Sequence, residues 1–125
     1  MSVISIGNPK GGAGKTTLAL VLADQLAASG VNAAVIDADP NAIIAKWAAK
    51  RANAKKAMPY TVVPRPTEGE MIQTIERLAG EHSIVIIDLE GAASRMTSRA
   101  LARSHMVLVP FDHSPVDAGR AAAAG

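Results

Sequence analysis

Residues 10 to 17 read Lys10-Gly11-Gly12-Ala13-Gly14-Lys15-Thr16-Thr17, directly after the apolar stretch Val3-Ile4-Ser5-Ile6-Gly7. A strand followed by G-x-x-x-x-G-K-[ST] is the pattern of a phosphate-binding loop. Pro9 stands where the first glycine of that pattern belongs, and an additional lysine, Lys10, heads the loop. The chemistry such a stretch can do is to hold a polyphosphate. Backbone N–H groups of Gly11, Gly12, Ala13 and Gly14 can curl around phosphate oxygens as a concave nest. A helix expected to start near Lys15 adds free N–H groups and the positive end of its dipole. Lys15 is placed to reach the β- and γ-phosphates. The Thr16 hydroxyl is placed to ligate Mg²⁺, and Thr17 completes the loop. A plain strand-to-helix turn explains neither lysine nor the threonine pair.

Two acidic segments complete the set. Asp37-Ala38-Asp39-Pro40-Asn41 follows a second apolar run, and Ile84-Val85-Ile86-Ile87-Asp88 is four apolar residues closed by an acid. In open α/β sheets, ligands lie beyond the carboxyl ends of the strands, which is where both segments end. A carboxylate there can hold a Mg²⁺-bound water, because Mg²⁺ keeps several waters and takes few protein carboxylates; Asp88 suits that task. Asp39 has a second reading as a helix cap, common for Asp before Pro. After Asp88 come Leu89-Glu90-Gly91. Gly91 lets a backbone N–H approach a γ-phosphate. Glu90 reads either as a water-activating base or as an exposed loop residue.

The elements that must position these groups alternate. Short apolar runs lie at 2–7, 33–37, 60–63, 84–89 and 106–111, and helical stretches at 15–29, 41–53, 68–79 and 96–103. The apolar runs are continuous, as for strands buried on both faces of a parallel sheet. Leu18, Leu22 and Leu26, with Val21 beside them, make a helical stripe, and Gly30 is placed to stop that helix. Thr67 and Glu70 have capping-box spacing. Repeated β–α units imply an α/β fold with a doubly wound, mainly parallel sheet. The chain's 125 residues suffice for one domain, 1–125.

Composition narrows the function. Net charge is +2, so bulk electrostatics name no partner, and a pI of 9.2 permits nucleic acid without requiring it. Cysteine is absent, which excludes disulfides, thiol catalysis and cysteine-held clusters. No stretch approaches a membrane span and no basic leader precedes the first strand, so a cytoplasmic protein is expected.

The double-lysine loop resembles the deviant Walker A motif of the ParA/MinD family of P-loop ATPases. The resemblance implies ATP and Mg²⁺ as cofactors, slow partner-stimulated hydrolysis, and a homodimer with ATP at its interface. It assigns Lys10 to the nucleotide held by the other subunit. It gives Asp39 a part in positioning the attacking water and the Mg²⁺ shell, and Asp37 a supporting one, through the family's D-x-D-P-Q motif. Asn41 replaces the usual Gln, and the prolines common after the Walker B Asp are missing. D-x-D-P points to the plasmid and chromosome partition branch, with non-specific DNA and a ParB-like protein as partners and no membrane. The family extends well beyond position 125, so the chain matches about the N-terminal half of such a domain. Lack of cysteine argues against iron–sulfur members, and a single tyrosine, Tyr60, against a tyrosine kinase. Two other functions stay open: a metabolic ligase of the same superfamily, similar to dethiobiotin synthetase, and a nucleotide-binding interaction module without turnover.

Weaker signals remain. Arg95, Arg99 and Arg103 place three cations on one helix face, suited to DNA, a partner or solvent. Lys46, Lys50, Arg51, Lys55 and Lys56 form a second basic run that reads as a solvated helix. Trp47, at helical spacing from Ile43 and Ile44, reads as core. His82, His105 and His113 lack metal-ligand spacing. Residues 110–115 suggest a loop lining the nucleotide edge.

Overall fold

In a computed structural model, residues 2–7, 13–40, 42–56, 58–89 and 95–108 are described, with only the backbone given for 13–17 and 95–96. Among the described residues, five strands and four α-helices alternate: β1 (Ser2–Ile6), α1 (Ala13–Ala28), β2 (Ala33–Asp37), α2 (Ile43–Asn53), β3 (Thr61–Val63), α3 (Met71–Glu81), β4 (Ile84–Asp88), α4 (Arg95–Ala102) and β5 (Met106–Leu108). The strands form one sheet in the order β3-β2-β4-β1-β5, and every pairing is parallel. A parallel pair needs a crossover, and the helices supply it. The expected boundaries hold to within a few residues. The stretch 68–79 splits into a 3₁₀ turn, Glu68–Glu70, followed by α3. Tight first turns of this kind are common at helix starts. Here Thr67 anchors the turn, its N–H and hydroxyl both directed to the Glu70 carboxylate at 3.4 and 2.5 Å.

Helices cover both faces of the sheet. On one face Met71, Ile75, Leu78 and Ala79 of α3 and Ala100 of α4 pack on Val3, Ala34, Ile36, Val85 and Ile87. On the other, Ala19 and Ala23 of α1 and Ile44 of α2 pack on Ile6, Ala33, Val35 and Ile86. Successive side chains of β2 and β4 therefore serve opposite cores, which is why their sequences are unbroken apolar runs.

The α1 stripe differs from the one read in the sequence. Ala19 and Ala23 are fully buried along the contact line, with Leu18, Leu22 and Leu26 flanking them. Val21 faces outward at 52% exposure. Methyl side chains at the contact line let the helix lie close to the sheet, and the leucines then fill the sides. Gly30 ends α1 as expected: its φ is 81°, its N–H reaches Ala27 O at 3.0 Å, and the Val31 N–H reaches Leu26 O at 2.9 Å. This is a left-handed C-terminal cap, which favours glycine.

At the β5 edge, polar side chains reinforce the short ladder. The Val3 N–H donates to His105 Nδ1 at 2.9 Å, while the His105 N–H donates to Val3 O at 2.8 Å. Accepting at Nδ1 puts the proton of the neutral ring on Nε2. The Ser104 hydroxyl donates to Ala100 O at 2.7 Å. Its one proton is thereby used, so fully buried Ser5 donates to Ser104 across their 2.5 Å contact.

Candidate nucleotide-binding site

The C-terminal ends of the central strands bring the acidic residues together. Asp37 pairs in register with Asp88, and Asp88 pairs with Ile6. The phosphate-loop sequence leaves β1 directly after Ile6, and α1 begins at Ala13, two residues before the expected start. Helix α1 packs on β1, β2 and β4. Its N-terminal end and both carboxylates thus belong to one edge of the sheet. The first four N–H groups of a helix have no partner within it, so this edge carries helix-end donors and positive dipole on the side of the sheet where the acids lie. Gly14, Lys15, Thr16 and Thr17 are in the opening turns of α1. Lys10, Gly11, Gly12, Glu90 and Gly91 lie outside the described residues, as do Asn41, residues 110–115 and the side chains of Ala13, Lys15, Thr16 and Thr17.

Asp37 and Asp88 are buried, at 0% and 1% exposure. A buried carboxylate is costly unless hydrogen-bonded. Asp37 meets this condition fully. Its Oδ2 accepts the Ala45 N–H at 2.9 Å, and its Oδ1 accepts the Asp39 N–H at 3.3 Å. Ala45 lies in the first turn of α2, where residue 42, an alanine, offers no side-chain cap. A strand-end acid eight positions earlier takes that N–H instead. The turn between them is closed by the Ala42 N–H on Asp39 O at 3.0 Å, and Ala42 itself is left-handed, φ 53°. The Ala38 N–H donates to Asp88 O at 2.9 Å, and the Leu89 N–H to Ile6 O at 3.0 Å. Residues 37–39 are therefore held from both sides, by β4 and by α2. Asp39 is half-buried at this turn.

Sequence reasoning missed the specific role of Asp37. One signal was available: no Ser, Thr, Asp or Asn stands at position 42, so the helix starting at 43 had to find an acceptor elsewhere.

Other candidates lie away from this edge. Arg99 donates to Glu68 O at 2.5 Å and lies 3.8 Å from the Glu68 carboxylate. Arg103 lies 3.4 Å from Glu76. Two members of the arginine stripe thus tie α4 to the start and body of α3. Exposed pairs of this kind contribute roughly 0.2–1 kcal/mol each. Trp47 packs against the core with the Arg51 guanidinium 5.2 Å from its ring centroid, while Lys46, Lys50, Lys55 and Lys56 are exposed. His82 binds Leu78 O through Nδ1 and the Thr61 hydroxyl through Nε2, both at 3.0 Å. Among the described residues no group of three His, Asp or Glu side chains could hold a metal ion, and no helix is long and apolar enough to cross a membrane.

Known proteins resemble this chain in sequence and in fold. The protein ParA of Rhizobium radiobacter is 40% identical over 119 residues, covering 94% of this chain and 52% of that protein. The chain spans about half the length of the curated relatives it matches. A plasmid partition protein from Borrelia burgdorferi superposes with a TM-score of 0.78 at 17% identity, over 98% of this chain and 70% of that one. Cobyrinic acid a,c-diamide synthase from Mycobacterium smegmatis, solved with a bound ATP analogue and magnesium, gives a TM-score of 0.71 at 19% identity, over 89% of this chain and 60% of that one. The fold is that of a ParA-like P-loop NTPase. Residues 4–111 match the profile of the CobQ/CobB/MinD/ParA nucleotide-binding domain, and the chain belongs to that family.

Proposed function

We propose that residues 1–125 form the N-terminal part of a ParA-like Mg²⁺-dependent ATPase domain, whose ATP-dependent dimerisation partitions or positions DNA. The observation that carries this reading is the register of Asp37, Asp88 and Ile6 at one sheet edge, beside the strand–helix junction that holds the double-lysine loop. The donor set suits ATP with Mg²⁺: helix N–H groups and lysines for phosphate, a hydroxyl and carboxylates for a hard cation. Thr16, Asp39 and Asp88 would hold Mg²⁺, which supplies neutralisation of charge on the phosphate oxygens. Backbone N–H groups from Gly11 to Gly14 cradle the phosphates, and Lys15 supplies counter-charge at the β/γ end. Asp39 orients the attacking water. Gly91 brings an N–H toward the γ-phosphate. Lys10 reaches the nucleotide of a second subunit, where a dry interface strengthens its effect on developing charge. Non-specific DNA and a ParB-like protein are the partners, and the cytoplasm is the compartment.

Calorimetry with ATP and Mg²⁺ tests the site. Lys15→Ala abolishes binding, and equal affinity in variant and parent refutes the assignment. Likeness to the diamide synthase favours a second reading, an ATP-dependent metabolic ligase. Stimulation of ATP hydrolysis by DNA together with a ParB-like protein separates the two.

A further inference from the structure

Resting on the ATPase reading, we infer that Asp37 is a positioning residue that locks the Asp39 turn to the N-terminus of α2. The second acid of the motif is thereby set in place by the first. Both Asp37 oxygens are used within eight residues of chain: Oδ1 on the Asp39 N–H at 3.3 Å, Oδ2 on the Ala45 N–H at 2.9 Å. The side chain is fully buried, so solvent does not compete for either oxygen. Residue 42 brings no cap of its own, and the Lys46 N–H falls to Ala42 O at 2.9 Å. The first turn of α2 thus closes on the backbone of the Asp39 turn, and Asp37 is the side chain shown to bridge the two.

A carboxylate facing two N–H donors is needed here because each donor requires its own acceptor. An amide offers one acceptor oxygen, and its NH₂ group would face the second N–H. Asp37→Asn therefore keeps the volume and breaks one arm. Helix α2 is further fixed by Ile44, fully buried against β2. Losing the arm therefore frees the turn without unfolding the helix. Asp39 then samples positions from which it no longer orients water, and a displacement of about 1 Å in a positioning group can lower turnover on the order of 100-fold.

The test uses the full chain with Asp37→Asn and, as the milder variant, Asp37→Glu. Amide hydrogen exchange by NMR reads the clasp directly: Ala45 and Asp39 lose tenfold or more of their protection in Asp37→Asn, while Val35, Ile36 and Ile86 keep theirs. Steady-state kinetics, well below the melting temperature, read its consequence. The kcat for ATP falls tenfold or more while KM and calorimetric ATP affinity stay within twofold. Unchanged protection at Ala45 overturns the clasp. Lost protection with unchanged kcat overturns the positioning role and leaves Asp37 a helix cap alone. Lost protection in Asp37→Asn, beside a parent that neither binds nor hydrolyses ATP, overturns the proposed function, and with it the positioning role, while the clasp stands.

Discussion

Removing the Tyr60 hydroxyl should stabilise the protein and alter its response to alkali. Tyr60 precedes β3 and is 6% exposed, packed among α1, α2 and the sheet. Its hydroxyl is buried with no well-formed hydrogen bond, and Asp24 is the carboxylate close enough to act on it as a weak acceptor. An unsatisfied buried hydroxyl costs roughly 1–3 kcal/mol, and Tyr60→Phe deletes it with little change of shape. We expect a gain of about 1 kcal/mol at pH 7, a rise of about 0.5 M in the urea midpoint at a slope of ~2 kcal/mol/M. Burial, then the negative charge of Asp24, push the Tyr60 hydroxyl from 10.0 up to about 12, against a lowering effect of Arg51. The folded state therefore holds this proton more tightly than the unfolded chain. The resulting contribution is intact below pH 10 and is lost as pH rises toward 12. By pH 11 the parent should lose up to about 1.4 kcal/mol that Tyr60→Phe retains. Fluorescence of Trp47, the only tryptophan and part of the same core, follows urea unfolding at pH 7, 9 and 11. A variant less stable than the parent at pH 7 refutes the reasoning and points to a net-stabilising hydrogen bond from Tyr60 to Asp24; a parent–variant difference that does not grow by pH 11 refutes the raised hydroxyl pKa.

Gly30→Ala should destabilise by about 1 kcal/mol, since φ is 81° while nothing lies within 4 Å of the added methyl, so backbone strain alone is introduced. Lys55, left-handed at φ 57° just past α2, should behave oppositely, with Lys55→Gly raising stability by about 1 kcal/mol; thermal melts check both. Lys10→Ala should keep most ATP binding in the monomer while losing ATP-dependent dimerisation and hydrolysis, as read by sedimentation with a slowly hydrolysed analogue. Asp39→Ala should keep ATP bound, slow turnover at least tenfold and enrich the dimer; unchanged turnover reduces Asp39 to a structural residue.

Much of this protein is local in origin, and that part is legible in the chain. The loop pattern that marks the family lies within eight consecutive residues, so spacing alone announces the family. Strands buried on both faces leave unbroken runs such as Ile84–Asp88, and a left-handed helix end selects Gly30. Thr67 and Glu70 meet within one turn, so their pairing also appears in sequence. Tertiary structure decided what depends on distance between elements. The order β3-β2-β4-β1-β5 places Asp37 beside Asp88, 51 positions apart in sequence, because hydrogen-bond register rather than chain order sets strand neighbours. Close approach of α1 to the sheet selected Ala19 and Ala23 for burial and turned Val21 outward, which periodicity alone could not resolve. Arg99 and Arg103 read as a surface stripe until the 3₁₀ turn before α3 supplied Glu68 and α3 itself supplied Glu76. The double duty of the Asp37 carboxylate exists only because α2 begins where the strand ends, leaving a helix N–H within reach of a buried acid.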